Sequence, residues 1–124
     1  MFFRYRQNRK SGDILSFTVN KELRDFIEAV SRSYNVYAVV LFGSYAQGNA
    51  GEYSDIDVAV FSDDFGEDIF EDMKKLFQLR RRIDPDIEPL PFKKKDFFTH
   101  NKTDFIRDIV ATGKLIYKEG KILI

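Results

Sequence analysis

Asp55 and Asp57 stand one residue apart at the head of an apolar run, DIDVAVF, ten residues beyond the dipeptide Gly43-Ser44. Successive side chains on a β-strand point to opposite faces, so the two carboxylates share a face while Ile56 and Val58 point the other way, into a core. Two carboxylates about 4 Å apart repel by roughly 4 kcal/mol at an effective dielectric of about 20. That is a large share of a domain's net stability, so something positive is expected between them. No Lys or Arg lies nearby in sequence. A hard divalent cation is the other answer: an all-oxygen site suits Mg²⁺ or Mn²⁺, and Mg²⁺ is commonly held by one or two carboxylates together with substrate phosphates. The plainer reading is a pair of solvated acids at the mouth of a strand. The pattern is not an EF-hand, because the loop glycine and distal glutamate are missing.

The Gly-Ser dipeptide adds a second kind of chemistry. Gly43 allows a ligand to approach the backbone closely. Ser44 brings a hydroxyl to a point where a strand feeds a turn or helix start, whose free N–H groups attract phosphate. Gly-Ser is also common in ordinary turns. Together, an anion cradle and a cation site ten residues apart describe a metal-bridged polyphosphate. Two-metal phosphoryl chemistry calls for a further acid, since two ions roughly 3.5–4 Å apart clamp the attacking and leaving oxygens. The stretch IDPDIEPLP supplies Asp84, Asp86 and Glu88, which share one parity, opposite Ile83 and Ile87.

These residues need a scaffold. With 124 residues, 44% hydrophobic and 15% aromatic, the chain fits one domain with a real core, here taken as 1–124. Residues 1–18 form an N-terminal arm or hairpin, with FFRYR and ILSFT as short strands around Ser11-Gly12-Asp13. Leu23, Ile27, Val30 and Tyr34 make one helical stripe, predicting a helix over 21–34 with Asn20 as its N-cap. VYAVVLF (36–42) reads as a strand buried on both faces. Residues 45–51 form a turn or a single helical turn, and 55–61 a second strand. A second amphipathic helix is expected over 67–81, with Ile69, Met73, Leu76 and Phe77 inward. DIEPLPF (86–92) is a strand whose Pro89 and Pro91 give it an edge character. A third helix covers 103–112, with Phe105, Ile106, Ile109 and Val110 inward and Gly113 as the C′ residue. KLIYK-EGK-ILI closes the chain as a hairpin. The expected fold is α/β (α+β), a mixed β-sheet flanked by helices.

Gly43-Ser44, ten residues, Asp55-Ile56-Asp57 and then an acid on the next strand resemble the minimal nucleotidyltransferases (MNT) of the DNA polymerase β superfamily. More narrowly they resemble the MNT half of HEPN/MNT toxin–antitoxin pairs. The resemblance runs over about residues 20–117. It implies a nucleotidyltransferase fold in which Asp55 and Asp57 bind Mg²⁺, with Mn²⁺ as the alternative ion. It further implies that Gly43 and Ser44 hold the nucleotide phosphates, and that a third acid binds metal or deprotonates the acceptor hydroxyl. Asp86-Ile87-Glu88-Pro89 resembles a branch whose strand carries Ile-Glu-Pro, which favours Glu88 as that acid over Asp86. One departure is Gln47, where family members often show arginine; a phosphate contact from there would lose its charge.

The implied activity is Mg²⁺-dependent transfer of a nucleoside monophosphate, AMP from ATP, to a hydroxyl. Larger relatives carry extra domains for aminoglycoside or tRNA acceptors, for which this chain has little room. The acceptor is therefore expected on a partner protein, by resemblance a helical HEPN-type toxin. Two other functions stay open: a non-catalytic antitoxin that binds its partner, and a small-molecule nucleotidyltransferase whose pocket needs a second subunit. Self-assembly stays open too.

Other features weigh less. Lys+Arg and Asp+Glu both number 20, so no overall basic field argues for general nucleic-acid binding. The absence of cysteine excludes disulfides, thiolate nucleophiles and cysteine metal sites. No apolar run approaches the roughly 20 residues that span a bilayer. MFFRYRQNRK lacks the apolar segment of a signal peptide, and a cytoplasmic protein is the expectation. The runs Arg80-Arg81-Arg82 and Lys93-Lys94-Lys95 read as a helix end favoured by its dipole and as a solvated loop. The alternative is contact with a triphosphate or an acidic acceptor. Arg4, Arg6, Arg9 and Lys10, interleaved with Phe2, Phe3 and Tyr5, read as a surface strand. His100, the single histidine, has no neighbour in sequence to orient it as a base for Ser44, so it reads as a solvated loop residue.

Overall fold

A computed structural model describes residues 17–51, 54–99 and 104–124. The helix α1 spans Phe17–Ser33, β1 Val36–Phe42, the single-turn helix α2 Ser44–Gln47, β2 Ile56–Ser62 and α3 Ile69–Arg80. Then follow β3 Ile87–Phe92, α4 Lys94–Phe98, α5 Asp104–Thr112, β4 Lys114–Lys118 and β5 Lys121–Ile122. The five strands form one mixed sheet in the order β3-β2-β1-β4-β5. Only the β2–β3 pair is parallel, and α3 is its crossover. The expected α+β sheet flanked by helices is thus present, with β3 on the edge that its prolines favour.

The alternation of the strands divides the core. One face, through Val39, Leu41, Ile56, Val58, Val60 and Ile87, packs with Leu23, Phe26, Ile27 and Val30 of α1 and Leu76 of α3. The other, through Ala38, Val40, Ala59 and Phe61, packs with Ile106 and Ile109 of α5 and with Phe97 of α4. A three-layer arrangement follows, helices on both faces of the sheet.

Several boundaries and faces differ from expectation. The first helix includes Phe17 and Thr18, which are helical rather than the end of a strand, and Asn20 sits inside it. Val19 is fully buried and extends the stripe of Leu23, Phe26 and Val30 one turn backwards, which outweighs the capping preference of Asn20. The remainder of the expected arm, with its basic residues, lies outside the described residues, as does His100.

In α3, Ile69 is exposed instead of inward, and Asp72 is buried. The Asp72 carboxylate accepts the Gly66 N–H at 2.8 Å, and Asp68 caps the helix by accepting from Phe70 and Glu71. The inward row runs through Asp72, Leu76, Leu79 and Ile83; Ile69 stands on the same row but is the first residue of the helix, beyond the cover of the core. Lys94 and Lys95 belong to α4, not to a loop. Phe105 of α5 is about half exposed, while Ile106 and Ile109 are buried.

Gly113 ends α5, but not as a left-handed C′ residue, because it is absent from the positive-φ positions. Its N–H donates to the Ile109 carbonyl at 2.8 Å. A Cβ there would collide with that carbonyl and with Val40. The glycine is needed because α5 meets β1 at backbone contact.

Candidate active site

The ends of β1, β2 and β3 meet in register at one edge of the helix-covered face. Phe42, the last residue of β1, lies opposite Asp57 of β2, and Asp57 lies beside Glu88 of β3. Asp57 has the parity of Ala59 and Phe61, and Glu88 that of Phe92, so both carboxylates emerge on the face carrying α4 and α5. Asp55 precedes β2 by one residue and is exposed. The Ile56 N–H donates to the Asp86 carbonyl at 2.8 Å, which fixes the start of β2 against the start of β3.

The turn after β1 is shaped around Asp57. Gly43 has φ 77° and ψ −153°, a conformation that essentially only glycine adopts. A Cβ on Gly43 would stand 2.5 Å from Asp57 Oδ2. The group that needs this glycine's bare backbone is therefore the Asp57 carboxylate itself. The Gly43 carbonyl accepts from the Ala46 and Gln47 N–H groups at 3.1 and 3.2 Å, and Gly48 closes the single turn of α2 in the left-handed region. Buried Tyr45 anchors that turn in the core. Ser44 is thereby held at the junction of β1 and α2, half-buried, with Asp57 packed on the preceding residue.

Electrostatically the acids oppose one another. Burial, then Asp55, then Glu88 push the Asp57 carboxyl up to about 6. Burial likewise raises Glu88; the Arg80 guanidinium pulls it down, and Asp55 and Asp86 push it up again. The pairing of Arg80 with Glu88 was not foreseen. The Arg80 Nη1 lies 3.5 Å from Glu88 Oε2, donates to the Ile87 carbonyl at 2.9 Å and to the Pro85 carbonyl, and its guanidinium stacks 4.5 Å from the Phe77 ring. Of the arginine run, Arg81 and Arg82 are exposed, as expected of a helix end, but Arg80 folds back onto β3. The available signal was its place at the last turn of a helix followed by a short link to an acidic strand.

Of the three acids weighed on IDPDIEPLP, Asp84 is buried and accepts the Asp86 N–H at 2.9 Å, so it builds the turn into β3. Asp86 precedes β3 and is half-buried. Glu88 is the one set beside Asp57 on the ladder. Gln47 is exposed at the end of α2.

The donor set is all carboxylate oxygen, which suits a hard divalent ion. Burial, Asp55 and Glu88 all raise the Asp57 carboxyl, and no cation among the described residues offsets them, which fits a place for such an ion. Among the described residues, no group of three or more His, Cys, Asp or Glu side chains converges closely enough to hold a metal. An ion held by Asp55 and Asp57 would need phosphate oxygens and water for the rest of its shell, while Glu88 in its observed setting pairs with Arg80.

The chain is similar to several known proteins. The family model described as "Polymerase beta, Nucleotidyltransferase" matches residues 24–122. A protein adenylyltransferase inferred for Methanocaldococcus jannaschii is 27% identical over 105 residues, spanning 80% of this chain and 71% of its own. The crystal structure of an inferred nucleotidyltransferase from Sulfolobus solfataricus superposes with a TM-score of 0.60 at 20% identity, covering 89% of this chain and 96% of that one. A toxin–antitoxin crystal structure with AMP-PNP is 26% identical over 82% of this chain and 72% of its own, with a TM-score of 0.46.

Proposed function

Because this chain belongs to the polymerase β nucleotidyltransferase family, we propose that it transfers AMP from ATP to a hydroxyl group of a partner protein. The carrying observation is the row Phe42–Asp57–Glu88, with Asp57 wedged against Gly43 and its carboxyl raised to about 6 by burial and neighbouring acids. Such a cluster of like charges holds together best when a cation and a polyphosphate complete it. The kinship to a protein adenylyltransferase supports adenylyl as the group and protein as the acceptor. The motif resemblance to MNT antitoxins points to a helical HEPN-type toxin as that protein.

In this reading Asp55 and Asp57 hold Mg²⁺, or Mn²⁺, with the nucleotide phosphates. The ion, when bound, neutralises charge on the α-phosphoryl group and on the departing pyrophosphate. The Gly43-Ser44 turn orients the phosphates for in-line attack. Glu88, freed from Arg80, takes the proton from the acceptor hydroxyl; the acceptor oxygen bonds to the α-phosphorus as the bond to pyrophosphate breaks. Catalysis is then mainly positioning and charge neutralisation.

The Arg80–Glu88 ion pair also favours a second reading, in which the site is idle and the chain acts as a binding antitoxin. Incubation with Mg²⁺, α-labelled ATP and the partner separates the two. Labelled partner, lost with Asp55→Asn/Asp57→Asn, is the result expected of the enzyme. Neutralisation of the partner without label, unchanged in that double variant, would leave only the binding reading.

A further inference from the structure

Resting on the nucleotide reading above, we propose that the half-exposed ring of Phe105, with Phe42 beside it, is the platform on which the base of the bound nucleotide stacks. Three cross-strand rows lie on the face shared with the acids. The first is Phe42–Asp57–Glu88, the second Val40–Ala59–Leu90 and the third Ala38–Phe61–Phe92. The ring of Phe105 on α5 lies 6.0 Å from that of Phe42, edge-on, and 6.4 Å from that of Phe92. It thus bridges the first and third rows above the second, where Ala59 is the smallest side chain. Phe92 in turn stacks on Phe61 at 5.3 Å, so a continuous aromatic chain runs from the core to a ring that is 53% exposed.

Single exposed apolar side chains are ordinary and need no explanation. Phe105 differs because its aromatic neighbour Phe42 is the cross-strand partner of Asp57 and is covalently joined to Gly43. Its helix is already anchored through Ile106 and Ile109, so packing does not require the ring to stand at the site. From Gly43 to the second row is three residues, about 10 Å of strand, a span that a phosphate chain and pentose together can cover. A nucleotide whose phosphates rest at Gly43-Ser44 therefore has its base at the level of Phe105. Phe42 belongs to the same rigid turn as the phosphate cradle, which favours the nucleotide's base over an aromatic group of the acceptor.

The test compares two probes in the presence of Mg²⁺: a non-hydrolysable ATP analogue and inorganic tripolyphosphate. Phe105→Leu keeps apolar volume and removes the π-face; Phe105→Tyr keeps the π-face. Phe105→Leu is expected to weaken the analogue about 5- to 150-fold, the span of one stacked base, and to leave tripolyphosphate unchanged. Phe105→Tyr is expected to bind both as the unmodified chain does. Equal weakening of both probes by Phe105→Leu, or weakening of neither, overturns the platform. Loss of acceptor labelling with unchanged analogue binding overturns it in favour of the acceptor. If the unmodified chain binds neither probe, the nucleotide reading itself fails and the platform falls with it.

Discussion

At Asp57 the carboxyl titrates near 6 in the folded chain, against 3.8 ordinarily, because burial and the neighbouring Asp55 and Glu88 disfavour its charge. The folded state therefore holds this proton more readily than the unfolded chain between about pH 4 and 6. The cost of ionising Asp57 is absent below about pH 4 and complete above pH 6. For a site this open to solvent, screening reduces the cost to the order of 1 kcal/mol. Asp57→Asn removes it. In metal-free buffer the variant is expected to gain stability relative to the unmodified chain as pH rises from 4 to 7, read as a widening difference in melting temperature. The same substitution should lower transfer by at least about 100-fold, since charge stabilisation by a held cation contributes several kcal/mol. A difference in melting temperature that stayed flat with pH would contradict the assigned cause. Gly43 makes the complementary case. Gly43→Ala puts a Cβ 2.5 Å from Asp57 Oδ2 at a backbone conformation closed to alanine. It should cost about 1–3 kcal/mol in urea unfolding and displace the carboxylate, so that activity falls in the folded fraction as well.

At the scale of elements, the strands were the most legible part of the sequence. VYAVVLF and DIDVAVF are short apolar runs bounded by turn residues, and both strands lie within one residue of expectation. Alternation gave the parity of the acids within each strand, whereas the pairing that sets Asp57 beside Glu88 is a matter of register between β2 and β3. Helix faces were harder to read. Asp72 is buried where it accepts a loop N–H, a bond that periodicity does not encode, and Ile69, on the same row, is exposed at the first residue of the helix. Arg80 escaped for the same kind of reason: its bonds to the Pro85 and Ile87 carbonyls and its pairing with Glu88 depend on how α3 meets β3, not on local pattern. Gly113 was marked correctly as a special position, but for the wrong cause. Its lack of a side chain serves the contact between α5 and β1. Gly113→Ala should therefore destabilise by about 1–3 kcal/mol through overpacking, whereas a left-handed cap position would show mainly local fraying of α5. Hydrogen exchange across β1 and α5 distinguishes the two: global loss of protection fits overpacking, and fraying confined to residues 110–113 contradicts it.

For the molecule as a whole, three layers place a rigid sheet under a site built at the ends of its three strands β1, β2 and β3. Gly43, Asp57 and Glu88 are held by ladder pairing and turn geometry, so the separation of the acids from the Gly43-Ser44 turn is set by the fold itself. No helix among the described residues is long and apolar enough to cross a membrane. The chain carries 20 basic against 20 acidic residues, so the negative charge gathered at Asp55, Asp57 and Glu88 is a local feature and not part of an overall acidic field. Whether that cluster accepts a divalent ion together with a nucleotide decides the mechanism, and calorimetric titration of Mn²⁺ in the presence of a non-hydrolysable ATP analogue measures it most directly. Saturable binding that requires the analogue, and that disappears in Asp55→Asn/Asp57→Asn while the fold persists by circular dichroism, is the predicted result. Absence of heat with the unmodified chain, or equal heat with the double variant, would contradict it.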